Sequence, residues 1–278
     1  MTRFQPLILF VLLLTFCKGD FQNFKATESI KIVTTTPSAT ELVAALDQTK
    51  HLVAVDKFST FPKEVISLPK IGDFMSPNVE AIAKLKPSLV VLDKTQVDAE
   101  RMLQKIGIKT LALPMLTIAD VKHGLLELGN SLNISEKASS AIADIDRSLQ
   151  KARTAPQSAS SNQTLVVIDR AKGKPMSLIA AGPKSYFDEL LKSVNLTNAL
   201  SDSKVDYPNV SLETVFKKSP NLIIDVSIGS DDAISDWQSI PHFVDTKVVS
   251  FKEPYFLSPS PRVYLAIEAL YALREQLN

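Results

Sequence analysis

The sequence predicts an α/β protein of two similar lobes joined by one long helix, and three observations carry that expectation. The first is a doubled segment. Residues 80–93 read Glu-Ala-Ile-Ala-Lys-Leu-Lys-Pro-Ser-Leu-Val-Val-Leu-Asp, and residues 213–225 repeat the order as Glu-Thr-Val-Phe-Lys-Lys-Ser-Pro-Asn-Leu-Ile-Ile-Asp. In each copy a glutamate opens a short helix with a lysine one turn on, a proline stops it, and leucine with β-branched residues makes a buried strand. The second observation is that strand-like and helical patterns alternate along both halves, which implies a mostly parallel sheet. The third is a helical pattern over 136–153, with Ala138, Ala141, Ile142, Ile145 and Leu149 on one stripe. At 1.5 Å per residue such a helix is roughly 27 Å long, enough to run beside two adjacent lobes, and a single stiff connector restricts hinge closure.

Length and composition agree with this organisation. A chain of 278 residues that is 45% apolar can supply a core to each of two modest lobes. The net charge is +1, and residues 1–16, which hold only Arg3, account for it. A neutral body has no electrostatic footprint for nucleic acid, and a neutral or mixed ligand is expected.

The chain starts with Arg3 and about ten apolar residues from Leu7 to Phe16, the length of a signal-peptide core and too short to span a bilayer. Export is expected. Cys17, the single cysteine, follows Leu14-Thr15-Phe16 in a pattern that resembles a bacterial lipobox, with Phe16 standing where that pattern has a small residue. A lipid on Cys17 would anchor the protein to the membrane; ordinary cleavage nearby would release it. In either case the folded body has no disulfide, thiolate metal site or cysteine nucleophile. The expected division is a leader over 1–17, a tether over 18–29, a first lobe over 30–134, the connecting helix over 135–154, a flexible loop over 155–163, and a second lobe over 164–278.

In the first lobe a strand over 30–34 leads into Pro37-Ser-Ala-Thr-Glu41 and an apolar helix, with Ser38 and Glu41 in a capping-box pattern. This strand, tight loop and helix start is the geometry of α/β ligand sites. After a strand over 52–55, two loops carry aromatics, Phe58 in 56–62 and Phe74 in 72–76, either as ligand walls or as rings packed beneath their loops. Beyond the first copy come a helix over 98–106 stopped by Gly107, a strand over 109–113, and a helix over 118–132 opened by Thr117 with Asp120. The second lobe reads as a strand over 164–169, an extended 176–181, a helix over 185–194, the second copy, a helix over 233–239, and a strand over 247–251. Tyr207 and Tyr255 sit in loop contexts, and residues 263–277 close the chain as a core-facing helix.

These residues carry a resemblance. Val33-Thr-Thr-Thr-Pro-Ser-Ala-Thr-Glu-Leu42, Asn78-Val-Glu-Ala-Ile82, Lys86-Pro-Ser-Leu-Val90, Ser219-Pro-Asn-Leu222 and Ser260-Pro-Arg262, in this order, resemble the substrate-binding proteins of metal-chelate ABC importers, nearest the cobalamin-binding branch. The resemblance implies two Rossmann-like lobes on a helical backbone, with ligand in the cleft between them. It implies ligand contacts at Pro37, Phe58, Phe74, Tyr207 and Tyr255. Glu80 and Glu213, one per lobe, would meet arginines of the permease; the plainer reading makes them first-turn glutamates helped by the helix dipole and by Lys84 and Lys217. Where cobalamin binders carry an acidic residue and an arginine around the last aromatic loop, this chain has Pro254 and Ser258. A corrinoid suits aromatic walls, ferric siderophores call for cleft arginines, and haem needs an axial ligand such as Tyr207 or Tyr255. The expectation is a monomeric carrier, not an enzyme, with no cofactor of its own.

Other chemistry finds little footing. His51, His123 and His242 show no ligand pairing, and read as surface or capped histidines rather than a metal site. Asp231, Asp232 and Asp236 read as a solvated helix start. No Walker A, dinucleotide or Gly-x-Ser-x-Gly motif occurs. The competing expectations are a two-lobed tetrapyrrole chelatase, which needs a cleft histidine with a carboxylate, and a surface lipoprotein adhesin, for which the cleft stays empty.

Overall fold

A computed structural model describes residues 30–154, 163–173, 175–227 and 232–277. The leader with Cys17, the tether, residues 155–162 and Asp231 lie outside the described residues.

The first lobe runs β1 (Ile32–Thr34), α1 (Pro37–Ala45), β2 (Leu52–Ala54), α2 (Val79–Leu85), β3 (Leu89–Asp93), α3 (Val97–Lys105), β4 (Thr110–Leu113) and α4 (Ile118–Ser131). Its sheet is wholly parallel in the order β2-β1-β3-β4. All five residues of β3 are buried, as a strand covered on both faces must be. The pleat sorts them. Val33, Val90 and Leu92 face α2 and α3 in an outer cluster with Ile82 and Leu103, whereas Ile32, Leu89 and Val91 face inward. The predicted capping box at Ser38 does not form. The helix starts at Pro37, a residue suited to a first helical position, Thr36 is the cap, and Glu41 is free for another task. The box at Thr117 and Asp120 does form.

Helix α5 (Ser135–Thr154) packs on α4 and on two helices of the second lobe, burying Ala138, Ile145, Ser148 and Ala152. The second lobe follows with β5 (Gln163–Arg170), β6 (Ser177–Ala180), α6 (Tyr186–Ser193), β7 (Thr197–Asn198), β8 (Asn209–Ser211), α7 (Leu212–Lys218), β9 (Leu222–Asp225), α8 (Ala233–Gln238), β10 (Lys247–Ser250), α9 (Pro254–Leu257) and α10 (Val263–Glu275). Gln163 thus opens a strand rather than ending a loop. The sheet runs β10-β9-β5-β6-β8, with β7 also on β5; β6 alone is reversed, antiparallel to both its neighbours β5 and β8. The connection from Arg170 to Ser177 is too short for a parallel crossover, so the chain folds straight back.

The doubled unit has the same caps in both lobes. Asn78 caps α2 and Ser211 caps α7; each helix ends on a left-handed residue, Lys86 and Ser219, just before its proline. Glu80 and Glu213 are each the second helical residue. The copies differ at Pro-Asn-Val: Asn78 caps its helix directly, while Asn209 and Val210 are spent on β8. Behind the sheets, one cluster joins the inner faces of both lobes through α1, α4, α5, α6 and α10. The outer face of the second lobe has its own cluster around Trp237 and Phe243.

Candidate functional site

The carboxyl ends of the first lobe's strands carry a polar network that fixes two loops. Thr34 and Thr40 hydroxyls meet at 2.6 Å, Thr40 meets Ser59 at 2.8 Å, and Ser59 bonds the buried Asp56. Asp56 also accepts the Phe58 N–H at 2.8 Å. Burial pushes the Asp56 carboxyl up, and the bonds from Ser59 and Phe58 oppose this. The Lys57 N–H donates to the Gly72 carbonyl at 2.8 Å and its ammonium holds Asp73 at 2.6 Å, tying the two loops together. That ammonium keeps the Asp73 carboxyl below its ordinary range. Gly72 sits at φ +103 with a notional Cβ 2.4 Å from the Ser76 carbonyl oxygen, so only glycine fits this turn. Gln96 donates to the Phe74 carbonyl at 2.8 Å and accepts the Thr35 hydroxyl at 2.5 Å. The outcome is two aromatic rings held outward, Phe58 60% and Phe74 41% exposed, beside exposed Met75. Packing beneath their loops is thereby overturned.

In the second lobe Ala180, Val167, Asp225 and Ser250 form one row across the sheet, at the carboxyl ends of β9 and β10. Beyond it, the Gly182 N–H donates to the Asp206 carbonyl at 2.8 Å, and a Cβ on Gly182 would lie 2.2 Å from the Val205 carbonyl oxygen. This close approach seats the loop bearing Tyr207, which is 49% exposed and bonds the Tyr186 N–H through its hydroxyl. Tyr186 opens α6; its buried hydroxyl lies 3.5 Å from the Tyr255 carbonyl. Tyr255 belongs to the short helix α9 rather than to a loop, because Pro254 starts a helical turn. Burial pushes the hydroxyls of Tyr186, Tyr207 and Tyr255 up, so each stays protonated.

Arg262 joins the two rims. Its Nε and a terminal nitrogen reach both carboxylate oxygens of Glu41, at 2.9 and 2.5 Å, across the lobe boundary. The guanidinium lies 3.9 Å from the Phe61 ring centre in the first lobe and 5.6 Å from that of Tyr255 in the second. On the other flank Glu189 of α6 accepts the Ile118 N–H at the start of α4, at 2.8 Å. Grooves of about 980 and about 770 Å³ flank the boundary, the first lined by Glu41, Phe61 and Arg262, the second by Ile118 and Glu189. None of the five predicted ligand residues lines either groove.

Burial also pushes the Glu189 carboxyl up; the Ile118 N–H opposes this and Asp120 adds to it. The folded state therefore holds this proton more tightly than the unfolded chain, so stability from this group is present at low pH and lost as pH rises through the raised value. Glu189→Gln removes the titration. Paired melts should show the variant gaining on the parent protein as pH rises from the ordinary glutamate range; a difference independent of pH contradicts this assignment.

The predicted residues thus fall into linked sets: Phe58 with Phe74, Tyr207 with Tyr255 through Tyr186, and Pro37 at the start of the helix whose Glu41 grips Arg262. Glu80 and Glu213 are exposed in the first turns of α2 and α7, a few residues after the loops that carry Phe74 and Tyr207. Lys217 pairs with Glu213 at 2.7 Å and holds its carboxyl below the ordinary range; Glu80 forms no ion pair with Lys84. Asp236 is no solvated helix start, since it accepts from the buried Arg170 at 2.9 Å. His51 bonds the Ile30 carbonyl and His242 packs on Phe216 and Phe243. Sequence reasoning passed over Arg262, Phe61, Gln96 and Tyr186 as site residues. Phe61 shares a loop with Phe58 and could have been flagged; the partnership of Arg262 with Glu41 leaves no local signal.

Among the described residues no three or more His, Cys, Asp or Glu side chains gather to hold a metal, and no helix is long and apolar enough to cross a membrane. What the fold and this interlobe geometry define is a carrier, and the family model described as periplasmic binding protein matches residues 32–234; the chain belongs to that family of extracytoplasmic binding proteins, not enzymes. Among its relatives, the vitamin B12-binding protein of Pectobacterium atrosepticum is 24% identical over 253 residues, covering 89% of each chain. That of Salmonella typhi is 27% identical over 251 residues, covering 89% of this chain and 91% of the relative. In structure the chain is similar to the periplasmic vitamin B12 binding protein BtuF of Vibrio cholerae (TM-score 0.71, 23% identity, 87% of this chain and 95% of that one). It is similar also to the periplasmic heme binding protein HutB of Vibrio cholerae (TM-score 0.77, 16% identity, 88% and 99%).

Proposed function

We propose that this chain is the substrate-binding protein of an ABC importer, and that it captures cobalamin or a closely related metal chelate between its lobes. The observation that carries the reading is the set of outward-held rings on both rims, Phe58 and Phe74 on one lobe and Tyr207 on the other. Rings kept in water by a dedicated polar network are poised to bury area against a large flat ligand. Two rim cations are already paired, Lys57 beside Phe58 with Asp73 and Arg262 beside Phe61 and Tyr255 with Glu41, which disfavours a polyanionic siderophore. The relatives named for vitamin B12 support the same choice.

Glu80 and Glu213 are the proposed grips for the permease. They are exposed, they occupy the same helical position in equivalent units, and a partner built of two like halves presents the same site twice. A lipid on Cys17 would hold this monomeric carrier at the membrane beside the permease. The metal chelate is cargo, and no resident cofactor is invoked.

Titration of the protein lacking residues 1–17 with cyanocobalamin, haemin and a ferric hydroxamate, followed by heat and absorbance, tests the reading. Saturable one-to-one binding of the corrinoid alone is expected. Tight binding of the hydroxamate in its place, or silence with all three, overturns it.

A further inference from the structure

We infer that Arg262 is a positioning residue for the cleft: gripped at two points by Glu41, it sets the spacing between the aromatic rims of the two lobes and hence their resting angle. The inference rests on the interlobe site proposed above, though its first test needs no ligand.

Four features point the same way. The grip is bidentate, and a planar guanidinium held at two points is fixed in orientation as well as in distance. Both side chains are well covered, 14% and 8% exposed, so the pair cannot be replaced by water without leaving a charge stranded. Its two ends are anchored in rigid elements. Glu41 sits mid-way along α1 and Arg262 caps α10, and both helices are built into the core cluster that joins the lobes. The faces of the guanidinium are used too, with Phe61 on the first lobe at 3.9 Å and Tyr255 on the second at 5.6 Å. One side chain therefore meets an aromatic ring from each lobe, and rotation of either lobe must break the fork or slide a ring off it. The Glu189 to Ile118 bond on the opposite flank is a single contact with a neutral donor, a weaker tie in the reverse direction. Together they hold the empty protein near one geometry, which lowers the ordering cost when a ligand arrives.

The body without residues 1–17 has no cysteine, so one spin label per lobe can be placed at Lys105→Cys and Gln238→Cys. Pulsed dipolar spectroscopy on the ligand-free protein should give a narrow interlobe distance distribution. Arg262→Gln should broaden it, Arg262→Lys should recover it only in part, and the neutral double variant Glu41→Gln with Arg262→Met should broaden it while keeping circular dichroism and melting close to the parent, which guards against misfolding. With cyanocobalamin as probe, the double variant should lose about tenfold in affinity, as expected when only a fraction of molecules rests in the competent geometry, and the loss should lie in the association rate. An unchanged distance distribution in the folded double variant overturns the inference. So does a loss confined to the dissociation rate, which would make Arg262 a ligand contact. If the parent protein binds no cyanocobalamin, the functional reading fails while the distance measurement alone still decides this one.

Discussion

Replacing Phe58, Phe74 and Tyr207 together by alanine should weaken cyanocobalamin binding by about a hundredfold while leaving the fold intact. Each ring is between 41% and 60% exposed, so its burial under a ligand is still to come. Fully burying a large apolar side chain contributes about 1.5–3 kcal/mol, so three rings with about half their surface still to bury contribute about 3 kcal/mol together, or about two decades of affinity. The same exposure means that little packing is lost, and substitutions of this kind stay within about 0.5 kcal/mol in stability. Calorimetric titration with melting curves checks both halves. A loss under about tenfold would show that the rims do not grip the ligand.

The second large effect concerns delivery. Glu80→Ala with Glu213→Ala should abolish uptake of labelled corrinoid by cells and leave binding by the purified carrier unchanged. Both carboxylates are exposed first-turn groups, and neither the Phe58 and Phe74 network nor the Arg262 fork uses them. The Lys217 pair with Glu213 is a solvent-screened surface contact, so its removal cannot account for a transport defect. Single variants should show partial loss, because the partner would still be held at one end. Normal uptake by the double variant removes the docking assignment.

How much of this was legible in the chain depended on the range of the forces involved. The doubled αβ unit could be read directly, since a capping residue, a lysine one turn on, a stopping proline and a β-branched strand are all local signals. The mixed sheet of the second lobe could not, because it turns on the length of one connection, Arg170 to Ser177, rather than on the strand pattern. Ser38 and Glu41 matched a capping box, yet Pro37 started the helix early and Glu41 turned to Arg262, a partner 221 residues away. Aromatics in loops are ambiguous in sequence. What turned Phe58 and Phe74 outward was the pair of aspartate turns at Asp56 and Asp73, locked to each other through Lys57. Asp236 showed the opposite failure, a residue that looked solvated and was drawn in by Arg170 from a distant strand.

The central claim is that one ligand is held by both rims at once. Hydrogen exchange with and without cyanocobalamin addresses it most directly. The account predicts that slowed exchange appears together in residues 56–62 and 72–76 of the first lobe and in residues 203–208 of the second. Protection confined to one lobe, or none at saturating corrinoid, would contradict it.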